Sequence, residues 1–156
     1  MHPDQLNDET TYQRCYACGS RNPQGLQLRF RRSGDRILAE FTPGEQYQGF
    51  PGVLHGGVVA TLLDETLSRT GALRGEWLMT GKLDIRYRRP APIGSPLRVW
   101  GEIVLGRTGA VMAQGALELE DGTVVADARG TFVSLPPGVQ AETMARFPEF
   151  AEYWKP

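Results

Sequence analysis

The chain has 156 residues and a formal net charge of -1 at pH 7, and 40% of its residues are hydrophobic. This length fits one domain with a sizeable core, and the balanced charge gives no basic excess that would indicate nucleic acid as a partner. Residues 1–9 are polar and acidic, and no apolar run reaches the roughly 18 residues of a membrane span. We therefore expect neither secretion nor membrane insertion, and we expect the cytoplasm as the location.

Both cysteines lie in the segment Cys15-Tyr16-Ala17-Cys18. A structural zinc site normally needs four ligands, and the only histidines are His2 and His55. A redox motif should open a helix after a strand, which this polar N-terminal segment does not supply. We therefore interpret the pair as structural or inert and predict no metal site, with a metal site shared between subunits as the open alternative.

The first half of the chain predicts two short strands and one long helix. The strands are predicted over 26–32 and 37–41, around a turn at 33–35, and a loop rich in Gly and Pro covers 43–52. The helix is predicted from about Gly56 to Ala72, ending near Gly71 or Gly75. Its apolar positions form one broad stripe: Val58, Val59, Leu62, Leu63, Thr66 and Leu67.

The second half predicts four strands and a short terminal helix. The strands cover 82–88, 97–105, 110–120 and 123–135, with turns at 106–109 and 121–122, and the helix covers 140–154. The helix in the middle must bury its apolar stripe, so we expect an α+β fold in which one antiparallel sheet curls around it. The expected segments are a flexible N-terminus over 1–14, the main domain over 15–138 and a helical tail over 139–156.

The start of the predicted central helix carries His55-Gly56-Gly57, and Asp64 lies two turns inside it. A Gly-Gly step lets a substrate approach bare backbone, and the first N–H groups of a helix lack intrahelical acceptors, so they can bind a developing oxyanion. Asp64 would supply a base or nucleophile, but it lies ~12 Å along the axis from the helix start. If both act on one carbonyl carbon, they come from two copies of the helix, which predicts a site shared across a symmetric dimer.

Helical geometry favours Asp64 over Glu65 as the functional carboxylate. At ~100° per residue, Asp64 points about 150° away from the centre of the apolar stripe and Glu65 about 110° away. Thr61 and Ser68 share the face of Asp64. We therefore expect this polar face to point away from the core of its own chain, and we expect Glu65 to be structural.

The chain resembles the hotdog-fold acyl-CoA thioesterases, in the family that includes the phenylacetate-pathway thioesterases. The resemblance covers about residues 15–135 and is carried by four motifs: Asn22-Pro23-Gln24-Gly25-Leu26, Leu54-His55-Gly56-Gly57, Leu63-Asp64-Glu65 and the run from Arg86 to Gly94. It implies the hotdog fold and hydrolysis of an acyl- or aroyl-CoA thioester to the free acid and CoA. It also implies no cofactor beyond the CoA of the substrate, and a homodimer or dimer of dimers.

The resemblance implies roles for the residues around the helix start. Asp64 matches a general base or nucleophile, and Gly56 matches the glycine whose N–H polarises the thioester carbonyl. Gly57 lies alongside and permits close approach. His55 matches a residue that shapes this loop more often than it transfers protons. Many relatives carry an amide side chain six residues before this histidine, where this chain has Gly49.

Two hydroxyls and four arginines complete the implied site. Thr80, sixteen residues after Asp64, matches a hydroxyl that holds the attacking water, and Ser68 is the competing hydroxyl. Guanidinium groups suit the phosphate oxygens of coenzyme A. The expected phosphate ligands are Arg86, Arg88, Arg89 and Arg107.

Two other functions stay open. One is a hotdog domain that binds acyl-CoA as a sensor or without catalysis, and the other is the hydratase branch of the fold. Asp64 beside the glycine pair favours an enzyme, and the lack of a DNA-binding extension disfavours a sensor. The hydratase branch uses an Asp-x-Asn-x-x-His arrangement that this sequence lacks.

Overall fold

Six strands form one antiparallel sheet around a central helix. The structure, a computed structural model, describes residues 14–148. The strand order is β1-β2-β4-β5-β6-β3. The strands are β1 Phe30–Ser33, β2 Arg36–Phe41, β3 Leu78–Tyr87, β4 Leu97–Arg107, β5 Ala110–Leu119 and β6 Val124–Ser134. Helix α1, Gly56–Ser68, packs across β2 to β6, and helix α2, Pro137–Arg146, follows the last strand. This is the α+β hotdog architecture that the pattern of elements predicted.

The apolar stripe of α1 attaches the helix to the sheet. All six predicted stripe residues are buried, and they share one core with inward-facing sheet residues such as Val99, Leu117 and Phe132. Each fully buried aliphatic or aromatic side chain contributes about 1.5–3 kcal/mol relative to an exposed one. Thr66 is tolerated in the stripe because its hydroxyl donates to the carbonyl oxygen of Leu62 at 2.7 Å.

The helical path continues beyond α1 as a short 3₁₀ helix, Arg69–Arg74. Gly75 follows in the left-handed conformation with φ of 67°, which glycine adopts without steric cost. The prediction that the path ends near Gly71 or Gly75 is therefore confirmed, although its α-helical part ends at Ser68.

Strand β1 begins at Phe30, so the prediction of a strand from residue 26 is wrong. Gln27 has a φ of 51°, which interrupts an extended backbone. The N–H groups of Leu26 and Leu28 donate to carbonyl groups of the Cys15–Cys18 turn at 2.8 and 2.9 Å. This segment therefore pairs with the N-terminal turn instead of the sheet. Strands β2, β4, β5 and β6 agree with the predicted bounds within two residues at each end.

Strand β3 begins at Leu78 instead of the predicted residue 82, and it contains a β-bulge at Gly81. Thr80 and Lys82 pair with successive residues of β6, so Gly81 has no partner there. The extra residue reverses the alternation of side chains between the two parts of the strand. Thr80 consequently faces the same side of the sheet as Tyr87, which is the side covered by α1.

Helix α2 begins at Pro137, earlier than the predicted residue 140. Proline fits the first turn of a helix, where its missing N–H is not needed. The helix ends at Arg146. Residues 1–13 of the predicted flexible N-terminus and the part of the predicted tail beyond 148 lie outside the described residues. Within 14–148, none of the helices combines the length and the apolar character needed to span a membrane.

Candidate active site

The first N–H of α1 is left open by the way the helix is capped. His55 is the N-cap, and its Nδ1 accepts a hydrogen bond from the N–H of Gly57 at 2.9 Å. The N–H of Val58 donates to the carbonyl oxygen of His55 at 2.9 Å. Within the described part of the chain, the N–H of Gly56 has no acceptor. Of these first three donors, the predicted oxyanion donor is thus the one available to a ligand.

The segment before His55 leaves little room for a side chain at Gly49, where the resemblance implies an amide. A Cβ on Gly49 would lie 3.2 Å from both Cα and Cδ2 of His55, closer than most real Cβ contacts. The preceding Gln48 uses its Oε1 to accept a hydrogen bond from the N–H of Gly52 at 3.2 Å. The loop therefore packs backbone against the histidine ring, and the amide side chain of Gln48 braces the loop.

Tyr87 is a residue of the site that the sequence did not predict. Its hydroxyl donates to the carbonyl oxygen of Gly56 at 2.9 Å, and its ring lies 3.6 Å from where a Cβ on Gly56 would be. These contacts hold the start of α1 against the end of β3. The alternation of β3 beyond the bulge directs Tyr87 to this side, together with Leu83 and Ile85.

Asp64 and Thr80 are in direct contact. The Thr80 hydroxyl donates to Oδ1 of Asp64 at 2.6 Å, and Asp64 is half-buried between α1 and β3. The competing hydroxyl, that of Ser68, donates instead to the carbonyl oxygen of Glu65 at 3.0 Å. Of the two predicted hydroxyls, the structure therefore brings Thr80 to the carboxylate.

A groove of about 400 Å³ opens beside the free N–H of Gly56. Its lining residues are Gly49, Phe50, Val53, Leu54, His55 and Gly56. Phe50 is 82% exposed, so an apolar surface stands next to the N–H donor. Asp64 and Thr80 do not line this groove. Within one chain, the N–H of Gly56 and the carboxylate of Asp64 therefore lie at separate positions along α1.

The four predicted phosphate ligands do not form one cluster within a chain. Arg86 and Arg88 line a groove of about 710 Å³ on the face of the sheet opposite α1. Arg88 donates to Asp127, and this hydrogen bond raises the pKa of Arg88. Arg89 lies two residues beyond the end of β3. Arg107 ends β4 level with the start of β3, ~20 Å along the sheet from Arg86 at ~3.4 Å per residue of β6.

The two cysteines contact a different side of α1. Cys18 donates from Sγ to Oε1 of Glu65 at 3.0 Å, and Cys15 approaches Oε2 at 4.0 Å. The buried Arg69 donates from Nε to Glu65 at 3.2 Å and from Nη2 to the Cys18 sulfur at 3.0 Å. The hydrogen bond between the two thiols lowers the pKa of Cys15 to about 7 and, together with burial, raises the pKa of Cys18. Glu65 thus holds internal contacts, as the helical geometry predicted.

A sheet wrapped around one helix, with an open N–H at the helix start and a carboxylate on its outer face, defines a hotdog domain with a site suited to carbonyl chemistry. The sequence profile of the thioesterase superfamily matches residues 51–126, which include all of α1, β3, β4 and β5. Over these residues, the chain belongs to the thioesterase superfamily.

Curated relatives match part of their own length. Acyl-coenzyme A thioesterase THEM5 of Mus musculus is 42% identical over 66 residues, which are 42% of this chain and 27% of that protein. Acyl-coenzyme A thioesterase THEM4 of Bos taurus is 32% identical over 104 residues, which are 65% of this chain and 42% of that protein. The chain spans less than half the length of these two relatives.

Solved structures share the fold. A crystal structure of a thioesterase superfamily protein is 31% identical with a TM-score of 0.73, and the match covers 78% of this chain and 61% of that chain. A hypothetical thioesterase protein from Streptococcus pneumoniae, crystallised with coenzyme A, is 18% identical with a TM-score of 0.65, covering 69% of this chain and 85% of that chain. The second likeness shows the fold alone.

Proposed function

We propose that this protein hydrolyses an acyl- or aroyl-CoA thioester to the free acid and CoA. The observation that carries the proposal is a pair of groups along α1: the open N–H of Gly56, and the carboxylate of Asp64, which accepts a hydrogen bond from Thr80 at 2.6 Å. Attack on a thioester needs a donor where negative charge develops and a group that activates or replaces water. The relatives named acyl-coenzyme A thioesterases support this substrate class.

In the proposed reaction, the N–H of Gly56 donates to the carbonyl oxygen of the thioester. Thr80 occupies one oxygen of Asp64 as a donor, so the other carboxylate oxygen and the lone pairs of the hydroxyl can orient a water. Asp64 takes a proton as the water oxygen attacks, and the tetrahedral intermediate expels the CoA thiolate, which takes up a proton. In the nucleophilic version, Asp64 attacks the carbonyl itself and the C–S bond breaks to release the CoA thiolate, which takes up a proton; water then hydrolyses the acyl-aspartate to the free acid and the Asp64 carboxylate.

The proposed site is shared between two copies of the chain. Gly56 and Asp64 are ~12 Å apart along one helix axis, so a single copy does not present both to one carbonyl. Strand β3 pairs with β6 on one side, and along the described chain its other edge is open. Antiparallel pairing of two β3 edges would extend the sheet and place the two α1 helices side by side. This favours a homodimer, or a dimer of dimers built from it.

The substrate's nucleotide is proposed to lie at the end of β3 that carries Tyr87. Tyr87 touches Gly56, and Arg89 follows it by two residues, so Arg89 lies at the end of the strand from which the pantetheine arm of CoA could extend to the oxyanion donor. Arg86 and Arg88 stand in the same part of the strand, on its opposite face. Arg107 would take this role only if the CoA enters from the end of β3 that carries Thr80. The proposed chemistry uses a carboxylate and a backbone donor, without a metal or an organic cofactor.

The test is a screen of the purified protein against short-chain, long-chain and aryl CoA thioesters with a thiol-release readout. We expect turnover of at least one class, and we expect Asp64→Asn to lose it. Tight binding of acyl-CoA by calorimetry without turnover of any class would overturn the enzyme and leave an acyl-CoA-binding module. The ranking of the substrates identifies the acyl group.

A further inference from the structure

The N-terminal cysteines form a cluster with α1 that the proposed hydrolysis does not use. The Sγ atoms of Cys15 and Cys18 and a carboxylate oxygen of Glu65 all lie within 4.8 Å of one another. Cys18 is buried, and the other two side chains are half-buried. Glu65 follows Asp64 in the chain but leaves the helix ~100° around its axis. The cluster is therefore a place separate from the candidate active site.

The ligand types and spacing of this cluster suit a zinc ion. Zinc binds thiolate sulfur at ~2.3 Å and carboxylate oxygen at ~2.0 Å in a tetrahedron, which puts neighbouring ligand atoms ~3.4–3.8 Å apart. Sγ of Cys18 lies 3.0 Å from Oε1 of Glu65, and Sγ of Cys15 lies 4.0 Å from Oε2. These distances fall on either side of the tetrahedral spacing, so small side-chain rotations would bring all three ligands onto one ion.

The charges of the cluster also balance around a divalent ion. Glu65 is paired with Arg69, whose side chain is 1% exposed. Zinc would displace the two thiol protons, so the total charge of the buried cluster would not change. Arg69 would then donate to one ligand sulfur and one ligand oxygen from outside, through contacts of 3.0 and 3.2 Å. Such outer hydrogen bonds orient metal ligands and tune their binding.

Glu65 distinguishes a metal site from a redox pair. A disulfide needs only the two sulfurs, and the thiolate is both the species that reacts in disulfide formation and the form that binds a metal. The carboxylate adds a third donor atom of a type that zinc binds. Glu65 is 47 residues from Cys18 in the sequence. A search of the sequence for metal ligands close to the cysteines therefore does not identify Glu65 as a third ligand.

We propose that Cys15, Cys18 and Glu65 bind one zinc ion per chain, with the fourth position taken by a group outside these three. The ion would link the Cys15–Cys18 turn to α1. Because the unfolded chain lacks the preformed site, binding would stabilise the folded state. The metal would be structural, and Asp64 would not contact it.

The test measures metal binding directly on the full chain. Protein purified without chelator should contain about one zinc per chain by elemental analysis. After stripping under reducing conditions, added zinc should raise the Tm by roughly 5 °C or more. Added Co²⁺ should give a sulfur-to-cobalt charge-transfer band, which Cys15→Ser and Cys18→Ser should abolish. Glu65→Gln should weaken zinc binding by at least the ~10–100-fold that is typical of losing a group behind the ligands, because Glu65 is proposed to contact the ion itself.

Glu102→Gln is the matched control, because Glu102 is also a half-buried carboxylate paired with an arginine but lies in β4. It should leave zinc affinity unchanged. The cobalt titration of the wild-type protein keeps the test valid if a cysteine variant fails to fold. Reduced wild-type protein with two titratable thiols, no cobalt band and no response of its Tm to zinc would overturn the site. A disulfide that forms in the presence of excess zinc would overturn it in favour of a redox pair.

Discussion

At the scale of single residues, the hydrogen bond from Thr80 to Asp64 sets what the carboxylate can do. The hydroxyl hydrogen is committed to Oδ1 at 2.6 Å, so a water near this pair meets acceptors: the lone pairs of the hydroxyl and the second carboxylate oxygen. A water that donates to these oxygens is oriented with its own lone pair pointing outward. That is the orientation a nucleophile needs. The contributions of Thr80 and Asp64 to the rate can be measured separately by substituting each side chain.

Asp64→Asn is expected to keep the fold and CoA binding and to lose most hydrolysis. The substitution removes the base or nucleophile with almost no change in volume, and a lost base typically costs ~10²–10⁴-fold in rate. The measurements are kcat by thiol release, the circular dichroism spectrum and CoA affinity. Turnover near that of the wild type in a folded variant would remove Asp64 from the mechanism.

Thr80→Val is expected to lower kcat by ~10-fold or more with a smaller effect on KM. It removes a hydrogen bond to a charged group, which is worth about 1.5–3 kcal/mol, and keeps the β-branched shape. Thr80→Ser should restore activity. Ser68→Ala is the control, because that hydroxyl donates to a backbone carbonyl. Equal losses in the Ser68 and Thr80 variants would contradict the assignment of the hydroxyl.

Arg89→Ala is expected to raise KM for acyl-CoA, while kcat changes less. The guanidinium group is proposed to bind a phosphate near the end of β3, remote from the reacting atoms. Arg107→Ala is the matched control at the other end of the sheet. A rise in KM for Arg107→Ala without one for Arg89→Ala would place the nucleotide at the opposite end.

At the scale of elements, the start of α1 is held from two directions. His55 caps the helix from its own backbone, and Tyr87 reaches the carbonyl of Gly56 from β3. The capping side chain accepts a hydrogen bond from the N–H of Gly57, whereas the N–H of Gly56 is left open. The orientation of the open donor therefore depends on both the helix and the edge strand.

His55→Asn is expected to retain stability and a large part of the activity, whereas His55→Ala should lose both. Asparagine is a strong N-cap, and replacing a capping side chain by alanine costs about 0.5–2 kcal/mol. The measurements are chemical denaturation and kcat/KM. Equal loss of activity in the two variants, with the Asn variant fully stable, would mean that His55 transfers protons in addition to capping.

At the scale of the whole molecule, a shared site predicts that two inactive variants complement each other. Mixing Asp64→Asn with Gly56→Pro should restore activity after subunit exchange, because one site of each mixed dimer carries no lesion. Proline fits the backbone at position 56, because Gly56 is the first helical residue and His55 before it has the extended ψ of 135° that a residue preceding proline prefers. The substitution removes the N–H donor.

Gly56→Ala is the control for this experiment. It keeps the N–H, and its Cβ would meet Tyr87 at an ordinary 3.6 Å, so we expect it to stay active. Verified mixed dimers of two folded, inactive parents that remain inactive would exclude the shared site.

The helix and most strands could be predicted because their signals are local. The stripe on α1 repeats with the helical period, and β4 to β6 alternate between turns, so burial followed from spacing alone. The failures depend on distant contacts. Residues 26–29 pair with the N-terminal turn, and Glu65 meets cysteines 47 and 50 residues away. The orientation of Tyr87 toward Gly56 likewise depends on how β3 packs on α1.

The bulge at Gly81 has a consequence for comparing sequences. Strand β3 has one residue without a partner between Thr80 and Lys82, so the seven positions from Thr80 to Tyr87 include one that adds no step of pairing. In a relative whose strand runs without the bulge, the residue that meets the same partner in β6 as Tyr87 would follow the hydroxyl by six positions instead of seven. An alignment that matches the two sequences up to Thr80 and allows no gap inside the strand would then pair Tyr87 with a neighbour of its equivalent, and a relative that keeps the contact with the helix start would be read as lacking it.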